Sequence, residues 1–331
     1  MIRRRSFLLA PLLLAACAER KGARPLFAAD SQPENYPTTQ GLYAIDRILS
    51  ERTDGEMRVR VYPGGQLGAE KDTLEIAVFG GLDLTRVNLG PLTSIMPEMS
   101  VLALPFLFRS IAHARATFDG AVGRRLLDAM LPYGLRGMCF YDSGARSFYN
   151  TVRAIHSPDD MAGMKIRVTN SDIYVAMVEA LGASPTPIPF GEVYQALIQG
   201  VVDGAENNYP SYESTRHYEA ATYYSLTRHV MAPEVLVASR RSWEKMTAEE
   251  QEYLQAAASD SVPVMRSLWD VRVAQSKQRV LDHGVAIVDD IDQDAFASRM
   301  APVWDRFVST PEKSVLVEDI LATRPAAGQS A

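Results

Sequence analysis

Apolar and polar positions near the start of the chain follow first a helical and then an alternating period. Apolar residues recur three and four apart between Thr38 and Arg52, which predicts a helix with one buried face. They alternate with polar residues between Met57 and Tyr62, which predicts a half-exposed strand. With a short apolar strand at Pro25–Ala29, the unit is strand, helix, strand. This order predicts a parallel pair joined by a right-handed crossover.

Helical and strand patterns continue to alternate through the rest of the chain, which favours an α/β fold. The predicted strands are Gly80–Asn88, Arg136–Tyr141, Lys165–Val168 and Glu234–Ser239, with an extended run at Ala183–Pro189. The predicted helices are Ala69–Phe79, Ala121–Leu131, Ser171–Leu181, Gly191–Gln199, Asp294–Val308 and Lys313–Leu321. The segments Asp142–Asn150 and Asp203–Asn207 are interpreted as a strand exit and a turn.

One predicted helix is much longer than the others. Thr247 followed by Glu250 forms a capping-box pattern at its start, and the helical period runs from there to about His283. Pro263 lies inside this pattern, and we expect it to kink or break the helix because proline lacks the amide proton and clashes with the preceding turn.

The first seventeen residues predict export from the cytoplasm. Three arginines, Arg3–Arg5, precede an apolar run over Phe7–Ala16 that is too short to span a bilayer. The run ends at Cys17 in a pattern that resembles a bacterial lipobox, so Cys17 is predicted to be acylated and to become the mature N-terminus. Arg4–Leu8 also resembles a twin-arginine export signal; a basic leader with adjacent arginines explains it equally well.

Composition excludes several classes of function. The 331 residues carry a net charge of −6 and a pI near 5.5, which argues against nucleic-acid binding because no basic field is present. The five histidines lack metal-ligand spacing, and no phosphate-binding loop, dinucleotide fingerprint or G-x-S-x-G elbow occurs. Nothing therefore calls for a cofactor or metal. With Cys17 lipidated, Cys139 has no disulfide partner, and its apolar surroundings predict a buried thiol.

Polar side chains recur where the predicted strands end, which indicates a ligand-binding cleft. Arg167 offers a rigid fork of donors for a carboxylate, and Asn207 offers both a donor and an acceptor. Ligands of open α/β sheets bind beyond the carboxyl ends of the strands. Further candidates at strand exits are Asp30, Asn88, Arg146 and Asn150. Each of these has an ordinary alternative as a turn, cap or surface residue.

Five ungapped motifs together resemble the solute-binding proteins of tripartite ATP-independent periplasmic (TRAP) transporters. They occur in the family's order at Tyr62–Gly68, Leu104–Phe106, Met161–Val168, Phe190–Leu197 and Val202–Asn207. The resemblance implies a two-lobed periplasmic binding protein fold with a long helix spanning both lobes. It also implies that the protein closes on an organic acid and delivers it to membrane permease subunits.

The same resemblance implies roles for individual residues. The family's carboxylate-binding arginine falls on Arg167, its asparagine on Asn207 and its second basic cleft residue on Arg146. The aromatic cleft residue falls on Phe190, and the acid after the glycine-rich turn falls on Glu70. The polar residue after the third strand is Asn88; this position is acidic in sialic-acid-binding members, which argues against sialic acid.

Residues 144–150 and 206–212 are similar to members that bind glucuronate or galacturonate, so a sugar acid is the expected ligand. The alternatives are a C4-dicarboxylate or another monocarboxylate, a receptor for a sensor, and an exported lipoprotein enzyme acting on sugar acids. We expect a monomeric, periplasmic protein that contacts a membrane only through a lipid anchor. The first lobe is predicted to comprise residues 25–143 and about 232–271, and the second residues 144–231 and about 272–323.

Overall fold

The computed structural model describes residues 25–325. The strands are β1 (Leu26–Ala29), β2 (Val59–Tyr62), β3 (Leu84–Asn88), β4 (Leu135–Tyr141), β5 (Arg146–Asn150), β6 (Lys165–Val168), β7 (Ser184–Pro187), β8 (Gly204–Asn207), β9 (Tyr223–Val230), β10 (Glu234–Ser239) and β11 (Ala286–Val288). The α-helices are α1 (Pro37–Arg52), α2 (Glu70–Phe79), α3 (Leu89–Thr93), α4 (Ile111–Asp119), α5 (Ala121–Asp128), α6 (Asp172–Ala180), α7 (Val193–Ile198), α8 (Tyr209–Ser214), α9 (Arg240–Trp243), α10 (Ala248–Asp282), α11 (Gln293–Ser298), α12 (Ala301–Phe307) and α13 (Pro311–Ala322). Short 3₁₀ turns lie at Pro97–Ala103, Leu131–Tyr133, Pro158–Met161, Phe190–Glu192 and His217–Glu219.

The strands form two separate sheets, and each sheet is the centre of one lobe. The first sheet has the order β2-β1-β3-β10-β4, and the second has the order β11-β9-β5-β8-β6-β7. Strand β1 is parallel to β2 and β3, as the strand–helix–strand pattern predicts, whereas β10 is antiparallel to both of its neighbours. Because β10 returns to the first sheet after β9, the chain crosses between the lobes more than once. The two-lobed α/β architecture is confirmed; the exact lobe limits stay predictions.

Helix α10 contacts both lobes. It begins at the predicted capping box, in which Thr247 and Glu250 each accept a hydrogen bond from the other's backbone amide. In its first half the Ser261 Oγ lies 2.6 Å from the Tyr141 hydroxyl of the first lobe. Further along, Arg272 donates to Glu213 of the second lobe at 2.6 Å. Pro263 does not break the helix, which continues through it, and the predicted kink stays a prediction. No helix within residues 25–325 is both long and apolar enough to cross a bilayer.

Several segments differ from the sequence-based predictions. Residues 203–207 are not a turn: Gly204–Asn207 form the buried strand β8 between β5 and β6. Gly204 is needed there because a Cβ would lie 2.4 Å from the Tyr149 carbonyl oxygen of β5. Residues 142–150, which were interpreted as a strand exit, also contain a strand, β5. Strands β9 and β11 and helix α4 were not predicted, and the helix expected over Asp294–Val308 is two helices, α11 and α12.

Other local predictions hold. The turn before α2 uses positive φ angles at Gly64, Gly65 and Gly68, conformations that favour glycine, and it leads directly into Glu70 at the helix start. The thiol of Cys139 is free and buried, and burial raises its pKa to about 12, which makes it a poor nucleophile. The leader and Cys17 lie outside the described residues.

Candidate ligand-binding site

Three arginines within the described chain are buried, and they differ in what they pair with. Arg86, Arg146 and Arg167 are 1%, 3% and 3% exposed. A buried guanidinium is costly unless a carboxylate or several hydrogen-bond acceptors compensate its charge. The partners of these three side chains therefore show which charges the protein satisfies internally.

Arg146 forms an internal ion pair on the second sheet. Its Nε and Nη2 donate to the two carboxylate oxygens of Glu206 at 2.5 and 2.7 Å, and its Nη1 donates to Asn207 Oδ1 at 2.9 Å. Burial alone would raise the pKa of Glu206, but Arg146 and His229 outweigh it and lower that pKa to about 2. The guanidinium also lies over the Tyr174 ring, 5.8 Å from its centroid. The charge of Arg146 is thus neutralised within the protein.

Arg86 is the centre of a cluster of three carboxylates on the first sheet. Its Nη1 donates to Glu70 Oε1 at 2.6 Å and to Glu234 Oε2 at 2.7 Å, and its Nε donates to Asp30 Oδ1 at 2.9 Å. Three acids around one cation leave an excess of negative charge. Burial raises the pKa of the Glu70 carboxyl, although Arg86 acts in the opposite direction.

Arg167 has no carboxylate within 4 Å anywhere in residues 25–325. Its Nε and Nη2 both donate to the backbone carbonyl of Ile188, at 2.8 and 2.6 Å, while Nη1 donates to no atom of the described chain. Burial lowers the pKa of this guanidinium, and the more distant Glu206 only partly offsets the effect. Arg167 is therefore a buried cation that is held in place but left without a counter-charge.

A cavity of about 270 Å³ lies between the lobes and is lined by Arg167. The second lobe contributes Arg167, Thr169 and Phe190, and the first lobe contributes Ser31 and Glu70. The volume is at the small end of ligand pockets. Glu70 Oε1 accepts from Ser31 and Arg86, while its Oε2 accepts no hydrogen bond from the described chain. An unpaired cation and a free carboxylate oxygen thus border the same cavity from opposite lobes.

The two lobes also touch each other directly. The Thr93 Oγ1 lies 2.9 Å from Ser171 Oγ, and the Tyr36 hydroxyl lies 2.8 Å from Ser211 Oγ. The Asn208 Nδ2 donates to the Ser143 carbonyl at 2.8 Å, next to the point where the chain crosses between the sheets. These three contacts join the two lobes directly.

Comparison with known proteins agrees with this geometry. Residues 28–310 match the family of bacterial extracellular solute-binding proteins, family 7 (DctP). The chain belongs to this family, the solute-binding proteins of TRAP transporters. A "solute-binding protein" of Chromohalobacter salexigens is 43% identical over 87% of this chain and 86% of its own length.

Two solved structures of TRAP periplasmic solute-binding proteins are also similar. One, from Xanthobacter autotrophicus, holds β-D-galacturonate; it is 45% identical, has a TM-score of 0.88 and covers 90% of this chain and 100% of its own. The other, from Chromohalobacter salexigens, holds D-glucuronate; it is 41% identical, with a TM-score of 0.88 and coverages of 90% and 100%.

The solute-binding protein brings most of the predicted site residues together, but in different ways. Arg167, Glu70 and Phe190 line the cavity. Asn207 accepts from Arg146 and from the Asn208 amide through Oδ1, whereas its Nδ2 donates to no atom of the described chain. Neither Asn207 nor Arg146 lines the cavity, and the guanidinium of Arg146 is occupied by Glu206 and Asn207.

Two other predicted residues, Asp30 and Asn88, make contacts within the first lobe. Asp30 accepts from Arg86, from Thr38 and Thr39 at 3.0 Å each and from the Gln32 amide, so both of its oxygens are engaged. Asn88 donates to Glu234 and caps α3 by accepting from the Gly90 amide.

Asn150 lies apart from the other predicted residues. It pairs with Gly204 at the start of β8, at the opposite end of that strand from Asn207. Its side chain is used within a local turn, where it accepts from the amides of Val152 and Arg153 and donates to the Arg153 carbonyl. The structure thus places Asn150 about three residues along the strand, roughly 10 Å, from the Arg146–Asn207 contact.

Arg86 and Glu234 were not predicted as parts of the site. Both lie in apolar strand segments, in which a charged residue requires a buried partner. A charged residue in an apolar strand is visible in the sequence, but it does not show which residue pairs with it. Arg86 and Glu234 are 148 residues apart. Among residues 25–325 no group of three or more His, Cys, Asp or Glu side chains is arranged to hold a metal ion.

The Glu206 carboxylate is expected to make stability fall in acid. Its folded-state pKa of about 2 lies below the ordinary value of 4.5, so the unfolded chain binds the proton first as the pH falls. The contribution is present above pH 4.5 and is lost towards pH 2; it amounts to roughly 3 kcal/mol. Urea unfolding of wild type and Glu206→Gln at several pH values measures it. The stability difference between the two proteins should shrink towards pH 2, and a difference independent of pH would contradict the assignment.

Proposed function

We propose that this solute-binding protein captures a hexuronate, D-galacturonate or D-glucuronate, in the cavity between its lobes and delivers it to the permease subunits of a TRAP transporter. The observation that carries the proposal is the pairing pattern of the buried arginines. Arg86 and Arg146 have internal carboxylates, whereas Arg167 faces the cavity without one. The ligand carboxylate supplies the missing counter-charge, and a guanidinium can bind it with two parallel hydrogen bonds.

Side chains of the cavity, together with Asn207 on the strand next to that of Arg167, suit the rest of a sugar acid. The free Glu70 Oε2 accepts a hydrogen bond from a ring hydroxyl, and the free Asn207 Nδ2 donates to a carboxylate or hydroxyl oxygen. Phe190 offers an apolar surface to one face of the ring. Arg146 and Asp30 position Asn207 and Arg86 and make no direct contact with the ligand. The solved relatives that hold uronates support this choice of ligand over other organic acids.

Family membership also supports the proposed place of action. Since the family consists of extracellular solute-binding proteins, we place the mature protein in the periplasm and assign it no catalytic role. A tether through Cys17, proposed from the leader alone, would keep the receptor at a membrane surface and raise its local concentration near the permease.

Calorimetric titration and thermal unfolding with purified protein test the function. We expect tight, one-to-one binding of D-galacturonate or D-glucuronate, with succinate and neutral D-galactose much weaker. A ligand present at about 100 times its Kd stabilises the fold by about 2.7 kcal/mol, which thermal unfolding detects. Recovery of the uronate unchanged after incubation, measured by NMR, separates a receptor from an enzyme. Failure of both uronates to bind would refute the proposal, and conversion of either would favour the enzyme.

Closure of the lobes should depend on the absence of a side chain at Gly90. A Cβ there would lie 2.5 Å from Cγ2 of Thr169, a residue of the second lobe that lines the cavity. We therefore expect Gly90→Ala to lower uronate affinity by about tenfold or more, because overpacking of this kind costs roughly 1–3 kcal/mol. The unliganded protein should keep its stability.

A double-mutant cycle makes this test specific. In the Thr169→Ala background the clashing methyl group is absent, so the same Gly90→Ala change should have little further effect on affinity. Calorimetry on the four proteins measures the coupling. Equal losses in both backgrounds would show that Gly90 acts through something other than contact with Thr169.

A further inference from the structure

A second, larger cavity adjoins the ligand cavity. It has a volume of about 670 Å³ and shares Lys71 and Asn170 with the cavity that contains Arg167. Both lobes contribute to its walls, with Thr93 and Lys71 from the first and Ser171 and Asp172 from the second. We call this second cavity the vestibule. Its position makes it an approach route to Arg167 from solvent.

The charged residues of the vestibule are mostly cationic. Lys71 at the start of α2, Arg306 on α12 and Lys313 on α13 face it, and Asp172 is the acidic residue of its lining. Within residues 25–325 the side chains of Arg306 and Lys313 form no ion pair, and Lys71 makes only a loose, exposed pair with Glu75 at 4.0 Å. Three separate helices thus direct positive charge at one opening.

The positive charge of the vestibule contrasts with the negative net charge of the whole chain. The chain carries a net charge of −6, so an anionic solute is repelled by most of its surface. The excess of cations in the vestibule lining opposes that repulsion within a Debye length, about 8 Å at physiological ionic strength. The ligand cavity, which adjoins the vestibule, lies between the vestibule and Arg167.

We propose that the vestibule cations Lys71, Arg306 and Lys313 steer the anionic sugar acid into the cleft and set its association rate. The inference rests on the proposed function, because it takes a monoanionic ligand that binds at Arg167. Steering acts on the encounter and leaves the closed complex unchanged, so the vestibule governs the association rate constant and Arg167 governs the dissociation rate constant.

Stopped-flow tryptophan fluorescence with D-galacturonate or D-glucuronate, whichever binds the wild type, tests the proposal. The vestibule variant is Arg306→Gln/Lys313→Gln, which leaves Lys71 in place because that residue also lines the ligand cavity. The matched control is Arg47→Gln/Lys277→Gln, which makes the same change in net charge at exposed positions outside both cavities. Rates are measured at about 0.01 M salt, where the Debye length is about 30 Å, and at about 1 M, where it is about 3 Å.

We expect the vestibule variant to associate about tenfold more slowly than wild type at low salt and within about twofold of it at high salt. Its dissociation rate constant should be unchanged, and the control should associate within about twofold of wild type throughout. An unchanged association rate, or an equal loss in the control, would overturn the steering role while leaving the proposed function intact. A change confined to dissociation would also overturn it. If wild type binds neither uronate, the proposed function itself fails.

Discussion

Replacing Arg167 by methionine is expected to lower uronate affinity by about a hundredfold to several thousandfold while leaving the fold intact. The ligand carboxylate would then be enclosed without its counter-charge, and removal of one partner from a buried pair costs about 3–5 kcal/mol. In the unliganded protein the same change removes a buried cation that has no carboxylate of its own. Stability without ligand should therefore stay the same or rise.

Calorimetry and urea unfolding on the same preparations separate these two effects. Arg167→Lys is the matched control, because lysine keeps the charge but cannot donate two parallel hydrogen bonds to a carboxylate. We expect its affinity to lie between those of wild type and Arg167→Met. If Arg167→Met bound uronate as tightly as wild type, the carboxylate would lie elsewhere in the cleft. If it unfolded, Arg167 would be a structural residue.

The local elements around the cavity could be predicted from sequence because their signals lie within a few residues of one another. The capping box of Thr247 and Glu250, the glycine-rich turn before Glu70 and the strand that carries Arg167 are all of this kind. A cap or turn depends on side chains and backbone groups three or four residues apart. All the residues that form such a cap or turn therefore lie within one short segment of the sequence.

Contacts between distant strands could not be predicted in the same way. Asn207 and Gly204 are common turn residues, yet β5 and β6 pair with their segment and make it a buried strand. The carboxylate partner of Arg146 is 60 residues away, and Glu234 is 148 residues from Arg86. The family motif assigns the ligand carboxylate to Arg167, but the sequence does not show that the charge of Arg146 is neutralised within the protein. The pairing with Glu206 is what leaves Arg167 as the cation available to a ligand.

Replacing Arg86 by methionine is expected to destabilise the protein by about 3–5 kcal/mol at neutral pH, the largest effect on stability that we predict. The carboxylates of Asp30, Glu70 and Glu234 would remain buried together without the cation that all three contact. Burial and repulsion from its neighbours then favour the protonated form of Glu70. Urea unfolding at neutral pH measures the loss.

The pH dependence of this loss distinguishes charge from packing. In Arg86→Met the folded-state pKa of Glu70, which burial already raises, should rise further because the cation that lowers it is gone. The destabilisation is then present at high pH and is relieved as the pH falls through the raised pKa of Glu70 towards its unfolded value. The stability gap between wild type and variant should therefore narrow from pH 8 to pH 5. Arg58→Met, which breaks the ion pair of a half-exposed arginine with Asp46, should cost less than about 1 kcal/mol at every pH. A gap of constant size for Arg86→Met would mean that its side chain contributes mainly by filling space, and Glu70 would then be held in the cavity by Ser31 alone.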